Sequence, residues 1–231
     1  MIVIGVIGAP AGGKSTVARC LRDLGATWVN ADRLAHRCLA SPAVIRQVTT
    51  FFGAEILTSD QQIDRRRLAQ RVFGDDAESL RALHYLESLV HPPARQMTMR
   101  RLTRAARWGI PVGVLDAPLL LEADWGVLCD FIWCVDAPAE LRRVWIAQRG
   151  WDADELQRRE QRQLPLEEKR RLSTHVLVND QTRESLRLLV THLWSEIRAA
   201  ARHIMAPELI TPASHCLRPC EDTFFIAQAK N

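Results

Sequence analysis

Gly8-Ala9-Pro10-Ala11-Gly12-Gly13-Lys14-Ser15 fills every fixed position of the phosphate-binding pattern G-x-x-x-x-G-K-S/T. Each fixed residue type has a physical task. Glycine lets backbone N–H groups turn inward toward phosphate oxygens. Lysine reaches the β- and γ-phosphates, and the serine hydroxyl offers an oxygen ligand to Mg²⁺. Thr16 adds a hydroxyl on the α-phosphate side. Average residue frequencies would give the pattern by chance in on the order of 1% of chains this long. The setting lowers that further, because an apolar β-branched run precedes the loop and helical spacing follows it. The helix that opens there turns its positive end toward an anion.

Residues 2–7 read as a first strand. Apolar side chains at 17, 20, 21 and 24 repeat with helical spacing, and Gly25 is a natural stop. Residues 27–29 give a second strand, ending at Asn30-Ala31-Asp32. Strand, helix and strand within about thirty residues make a βαβ unit, hence an α/β fold with a parallel sheet. Residues 33–105 are mostly helical and arginine-rich, with a break at Phe51-Phe52-Gly53 and a turn at Ser59-Asp60. Strands resume at 112–116, ending in Asp116, and at 131–136, ending in Asp136. A charged helical stretch over 141–173 is broken by Gly150 and Pro165. Residues 176–178 form the last clear strand, 183–202 an amphipathic closing helix, and 203–231 a tail without periodicity.

A nucleotide site of this kind needs an acidic side chain at a neighbouring strand end, to hold Mg²⁺ or its water. Asp32 and Asp116 both stand where a strand stops, and in an open α/β sheet those ends face the ligand crevice. Either carboxylate could serve as base for an acceptor hydroxyl, and either could orient the metal. Asp32 equally suits the N-cap of the helix that begins there.

The bulk numbers are those of a globular chain with one sizeable core: 231 residues, 47% hydrophobic and 25% charged. No apolar stretch reaches the ~18–20 residues a bilayer span needs, and the N-terminus reads as a strand rather than a signal peptide. A cytoplasmic location follows. Lysine occurs only at 14, 169 and 230, so nearly all of the positive charge is arginine and the net charge is +4. Acidic residues interleave with the arginines instead of leaving a basic stripe, which argues against a nucleic-acid partner. The cysteines at 20, 38, 129, 134, 216 and 220 show no framework and read as reduced thiols. His215, Cys216 and Cys220 lack the second pair that a zinc site needs.

Several further motifs are in the order and spacing of dephospho-CoA kinases, which the chain resembles over roughly residues 1–197. They are Asn30-Ala31-Asp32, Val90-His91-Pro92, Asp116-Ala117-Pro118-Leu119-Leu120-Leu121-Glu122, Val135-Asp136-Ala137-Pro138, Gln163-Leu164-Pro165-Leu166-Glu167-Glu168-Lys169 and Val176-Leu177-Val178-Asn179-Asp180. The resemblance implies transfer of the γ-phosphoryl of ATP to the 3′-hydroxyl of dephospho-CoA, with Mg²⁺, and no nucleic-acid or membrane partner. It implies a P-loop NTPase-type sheet flanked by helices, formed by 1–32, 106–140 and 174–202. A helical acceptor domain over 33–105 and a helical lid over 141–173 are added to it. Nucleotide contacts fall on Ala9, Pro10, Ala11, Gly12, Gly13, Lys14, Ser15, Thr16 and Asn179, with Ser15 on the metal. Asp32 matches the catalytic aspartate and could take the ribose proton. His91, Arg95, Asp116 and Leu119 fall on the acceptor side; a histidine before proline otherwise marks a helix end. Arg149 resembles the lid arginine brought over the phosphates, in competition with Arg142, Arg143 and Arg158.

The chain departs from that family at three places. The second-strand motif usually reads Asp-Ala-Asp but begins here with Asn30. The loop carries Ala9-Pro10-Ala11-Gly12 where a Gly-Ile-Gly-Ser filling is usual. Leu121 replaces an aromatic residue. Two other readings compete: a kinase of another hydroxyl acceptor, of nucleoside or shikimate type, and a nucleotide-binding regulator without transfer.

Overall fold

A computed structural model of the chain describes residues 1–74, 76–148, 150 and 153–205. Its five strands are β1 (Ile2–Gly8), β2 (Thr27–Asn30), β3 (Val112–Asp116), β4 (Phe131–Asp136) and β5 (His175–Val178). They form one parallel sheet in the order β2-β3-β1-β4-β5. β1 is central and buried along its whole length. A strand covered on both faces has no polar side to show, which explains the unbroken apolar run at 2–7.

Alternate residues of β1 feed two cores, as the two-residue period of a strand requires. Ile2, Ile4 and Val6 pack with Val17 and Leu21 of α1 (Lys14–Asp23) and with Val190 and Trp194 of α9 (Arg183–Met205). Val3 and Ile7 face the other way. They pack with Leu34 of α2 (Ala31–Leu39) and with Val90, Ala94 and Leu102 of α5 (Ala77–Arg107). α1 ends as its glycine predicts. Gly25 N–H donates to the Arg22 carbonyl at 2.9 Å and Ala26 N–H to Leu21 at 3.0 Å, with Gly25 at φ 107°.

The helices between β2 and β3 also include α3 (Pro42–Phe52) and α4 (Arg65–Val72). With part of α5 they enclose a third cluster of their own, including Val44, Val48, Phe52, Ile56, Leu68 and Val72. Ser41, Asp64 and Asp76 cap α3, α4 and α5 through their side-chain oxygens. The charged stretch after β4 folds as α6 (Ala139–Ala147), α7 (Ala153–Gln161) and α8 (Leu166–Arg171).

Three local expectations change. Asn30, not Asp32, is the N-cap of α2, and Asp32 sits in the first turn. The closing helix runs on to Met205, and the tail residues 206–231, with His215, Cys216 and Cys220, lie outside the described residues. His91 does not end a helix. α5 continues through Pro92 and Pro93 for 31 residues, although each proline removes a donor, here to the carbonyls of Ser88 and Leu89. Burial of Val90 and Ala94 on either side holds the helix together across the gap. Cys20, Cys38, Cys129 and Cys134 are all free of disulfides. Among the described residues, no helix is long and apolar enough to cross a membrane.

Pro92 is exposed. Pro92→Ala should therefore restore the missing bond at little packing cost and raise stability by about 1 kcal/mol. Urea unfolding checks this; a lower midpoint would mean that the break in α5 is required.

Candidate active site

The phosphate loop is shaped by two close approaches. At Gly8 (φ 135°) a Cβ would lie 2.0 Å from the Val135 carbonyl oxygen, and at Gly13 (φ 108°) it would lie 2.4 Å from Asn179 Nδ2. Asn179 is buried just past β5; its side-chain Nδ2 donates to the Gly12 carbonyl at 3.0 Å and its backbone N–H to the Asp136 carbonyl at 2.7 Å. The sequence-predicted contact residue thus holds the loop from outside. Ala11 takes φ 60°, a left-handed conformation that a Cβ disfavours by roughly 1 kcal/mol. α1 carries no side-chain cap and no acidic residue in its first turn. Its first N–H groups and its positive end are thereby kept for an external anion. Ser15 is exposed at the start of α1.

Lys14 folds back on the loop, its Nζ donating to the Gly8 carbonyl at 2.9 Å and to Ala9 at 2.7 Å. Burial of the ammonium, seconded by the charge of Lys169, lowers its pKa from 10.5 to about 8 against the pull of Asp116 and Asp32. Asp116 is buried at the end of β3, in register with Asn30 of β2. Burial raises its pKa and the Asp32 charge adds to the rise. A hydrogen bond from Asn30 Nδ2 (3.1 Å) and the charge of Lys14 oppose it. The indole N–H of Trp28 adds a weaker pull without completing a hydrogen bond. Asp32 is exposed, yet the flanking protein strips enough water to raise its pKa; His36, Lys14 and Arg159 pull it down. Lys14, Asp32 and Asp116 therefore act on one another's charge.

His91 is half-buried and Arg95 exposed, one turn apart on α5, and Leu119 lies at the surface beyond β3. Among the described residues, no hydrogen bond or ion pair joins them to Lys14, Asp32 or Asp116. Arg149 lies outside the described residues. Of its competitors, Arg142 pairs with Glu160 of α7 and donates from Nε to the Ala137 carbonyl at 3.2 Å.

Two basic residues without an assigned role in the sequence reading enter the site. Arg159 of α7 acts on Asp32. Lys169 is almost wholly buried, and its Nζ donates to Gln163 Oε1 at 2.7 Å and to the Pro118 carbonyl at 3.2 Å, 3.3 Å from Glu122 Oε1. Glu122 also accepts from Leu164 N–H at 2.7 Å. The scarcity of lysine was the available signal for Lys169. Arg159 had none, in a stretch crowded with arginines.

Clefts open on both sides of the loop. One, of about 330 Å³, is lined by Ala11, Gly13, Trp145, Asn179, Gln181 and Arg183. The other, of about 280 Å³, includes Ala9, Pro10, Arg142, Glu160 and Lys169.

A parallel sheet whose central strand runs into a phosphate loop, with carboxylates brought alongside by the next two strands, is the framework of a P-loop kinase. Residues 2–185 match the family model for dephospho-CoA kinase, and the chain belongs to that family. It is 42% identical over 188 residues to the dephospho-CoA kinase of Rhodopirellula baltica, covering 81% of this chain and 87% of that one. Against that of Carboxydothermus hydrogenoformans the identity is 40%, over 80% and 89% of the two chains. Among solved structures, TT1252 from Thermus thermophilus superposes with a TM-score of 0.71 at 36% identity, covering 85% of this chain and 97% of its own. The dephospho-CoA kinase of Campylobacter jejuni shares the fold at 21% identity, with a TM-score of 0.58 over 84% and 96% of the two chains.

The charge on Lys14 costs stability in the ligand-free protein. Because its pKa is depressed, the cost is full below about pH 8 and is relieved as pH rises toward 10.5. Lys14→Met should therefore stabilise the free protein by about 1–2 kcal/mol at pH 7, a gain that fades across that window, and should abolish stabilisation by ATP. Thermal melts from pH 7 to 10 check both. Ala11→Gly should relieve the loop by about 1 kcal/mol; an unchanged melting temperature would show that Ala11 is unstrained.

Proposed function

We propose that the chain transfers the γ-phosphoryl group of ATP to the ribose 3′-hydroxyl of dephospho-CoA, giving CoA and ADP in the cytoplasm. The observation that carries this reading is the phosphate loop at the start of α1, held by Lys14 and Asn179, with Asn30 and Asp116 paired at the adjoining strand ends. It is joined to membership of a family of that activity.

The loop N–H groups and Lys14 bind the β- and γ-phosphates, with Thr16 near the α-phosphate. The base of ATP occupies the cleft beside Trp145, Asn179 and Arg183. Asp32 accepts the 3′-hydroxyl proton as that oxygen bonds to the γ-phosphorus and the bond to the β–γ bridging oxygen breaks. A carboxyl pKa already above the ordinary value makes it a better base than a fully solvated aspartate. Asp116, His91, Arg95 and Leu119 receive the acceptor, whose helical domain is the part with its own core. Arg149 is assigned to the phosphates from the sequence resemblance, and the Arg159 charge draws the pKa of Asp32 down.

Mg²⁺ fits this chain as an ion that arrives with the nucleotide. Among the described residues no group of three acidic, histidine or cysteine side chains could cage it, while the exposed Ser15 hydroxyl offers one hard oxygen ligand. When bound, the ion neutralises charge on the β- and γ-oxygens.

The test is a coupled ADP-release assay with ATP, Mg²⁺ and dephospho-CoA, using adenosine and shikimate as control acceptors. Turnover should require dephospho-CoA. Asp32→Asn should lower kcat by at least about 100-fold while sparing ATP binding; near-normal turnover in that variant would remove the base from Asp32.

A further inference from the structure

Asn30 is the residue at which β2 becomes α2, and both ends of its side chain are engaged. Oδ1 accepts from Arg33 N–H at 2.8 Å, capping α2, and Nδ2 donates to Asp116 Oδ2 at 3.1 Å. Turned over, the amide would set its N–H₂ against the Arg33 N–H and its oxygen against a carboxylate oxygen. Only one orientation satisfies both partners. The strand register already sets Asn30 beside Asp116, and the amide fastens the side chains as well. Asp32 follows within the first turn of the helix so capped.

We propose that Asn30 is a positioning residue for phosphoryl transfer, whose amide locks the Asp116 carboxylate to the helix turn that carries Asp32. An aspartate at 30 could keep the cap, but it would set two carboxylate oxygens together where a donor now meets an acceptor. Asparagine therefore removes a repulsion and adds a bond at the same point. The other charged groups acting on Asp116 are Lys14 and Asp32, and Lys169 acts in turn on Lys14. None of them replaces the tether: Lys14 is bonded to the Gly8 and Ala9 carbonyls, Lys169 to Gln163 and Pro118, and Asp32 is a like charge.

The inference rests on the kinase reading, and the experiment keeps the two apart. Parent turnover with dephospho-CoA tests that reading, and its absence would sink both. The ratio of variant to parent turnover tests the tether alone. Asn30→Ser and Asn30→Thr keep a capping oxygen but are too short to reach Asp116, whereas Asn30→Ala loses both bonds. The expected result is a kcat about tenfold lower in all three, with ATP affinity unchanged. The melting temperature should fall in all three, and by a further ~2–4 °C in the alanine variant, which loses the cap as well. Parent-like kcat in either capping variant would overturn the inference. So would a loss confined to Asn30→Ala and in step with its melting temperature, which would leave Asn30 a helix cap and nothing more.

Discussion

The site depends on how closely β1 approaches β4 at Gly8. The two strands pair Gly8 with Val135, and no room exists at that point for even a methyl group. Because the main chain can pass so near the Val135 carbonyl, it leaves the sheet immediately and enters the loop. The Gly8 and Ala9 carbonyls then turn to where Lys14 can reach them. A larger residue at position 8 would move the loop away from the start of α1, and the anion-receptive end of that helix would lose its frame. Sheet geometry thus sets the electrostatics, rather than the reverse.

Burial is the largest influence on each of Lys14, Asp32 and Asp116, and it disfavours charge in all three. Opposite charges compensate only in part, so the crevice is a place where ions are poorly solvated. On the proposed reading, phosphate oxygens entering it would add to the counter-charge that Asp116 and Asp32 give Lys14. Lys169 follows a different rule: a carboxylate and neutral oxygens surround it, and its work is to fasten the segment after β3 to α8.

The loop, the parallel sheet and the two carboxylates were legible because short-range rules govern them: fixed spacing, continuous apolar strands, acids at strand ends. Asn30 and the prolines of α5 were not. Asp32 and Asn30 are both good capping residues, and the choice between them depends on where β2 stops, which its pairing with β3 decides. Pro92-Pro93 reads locally as a helix end, and only the core packed against Val90 and Ala94 overrides that preference. The sheet order and the approach of Arg159 to Asp32 are tertiary facts with no local signature. Arg149, favoured by motif, lies outside the described residues.

The bond from Asn179 to the Gly12 carbonyl spans 167 residues of chain. The phosphate loop is synthesised well before the side chain that braces it, which follows β5. At ~5–20 residues per second that interval is roughly 8–30 s. During translation the nascent chain therefore carries a nucleotide motif without its brace until the far edge of the sheet is laid down.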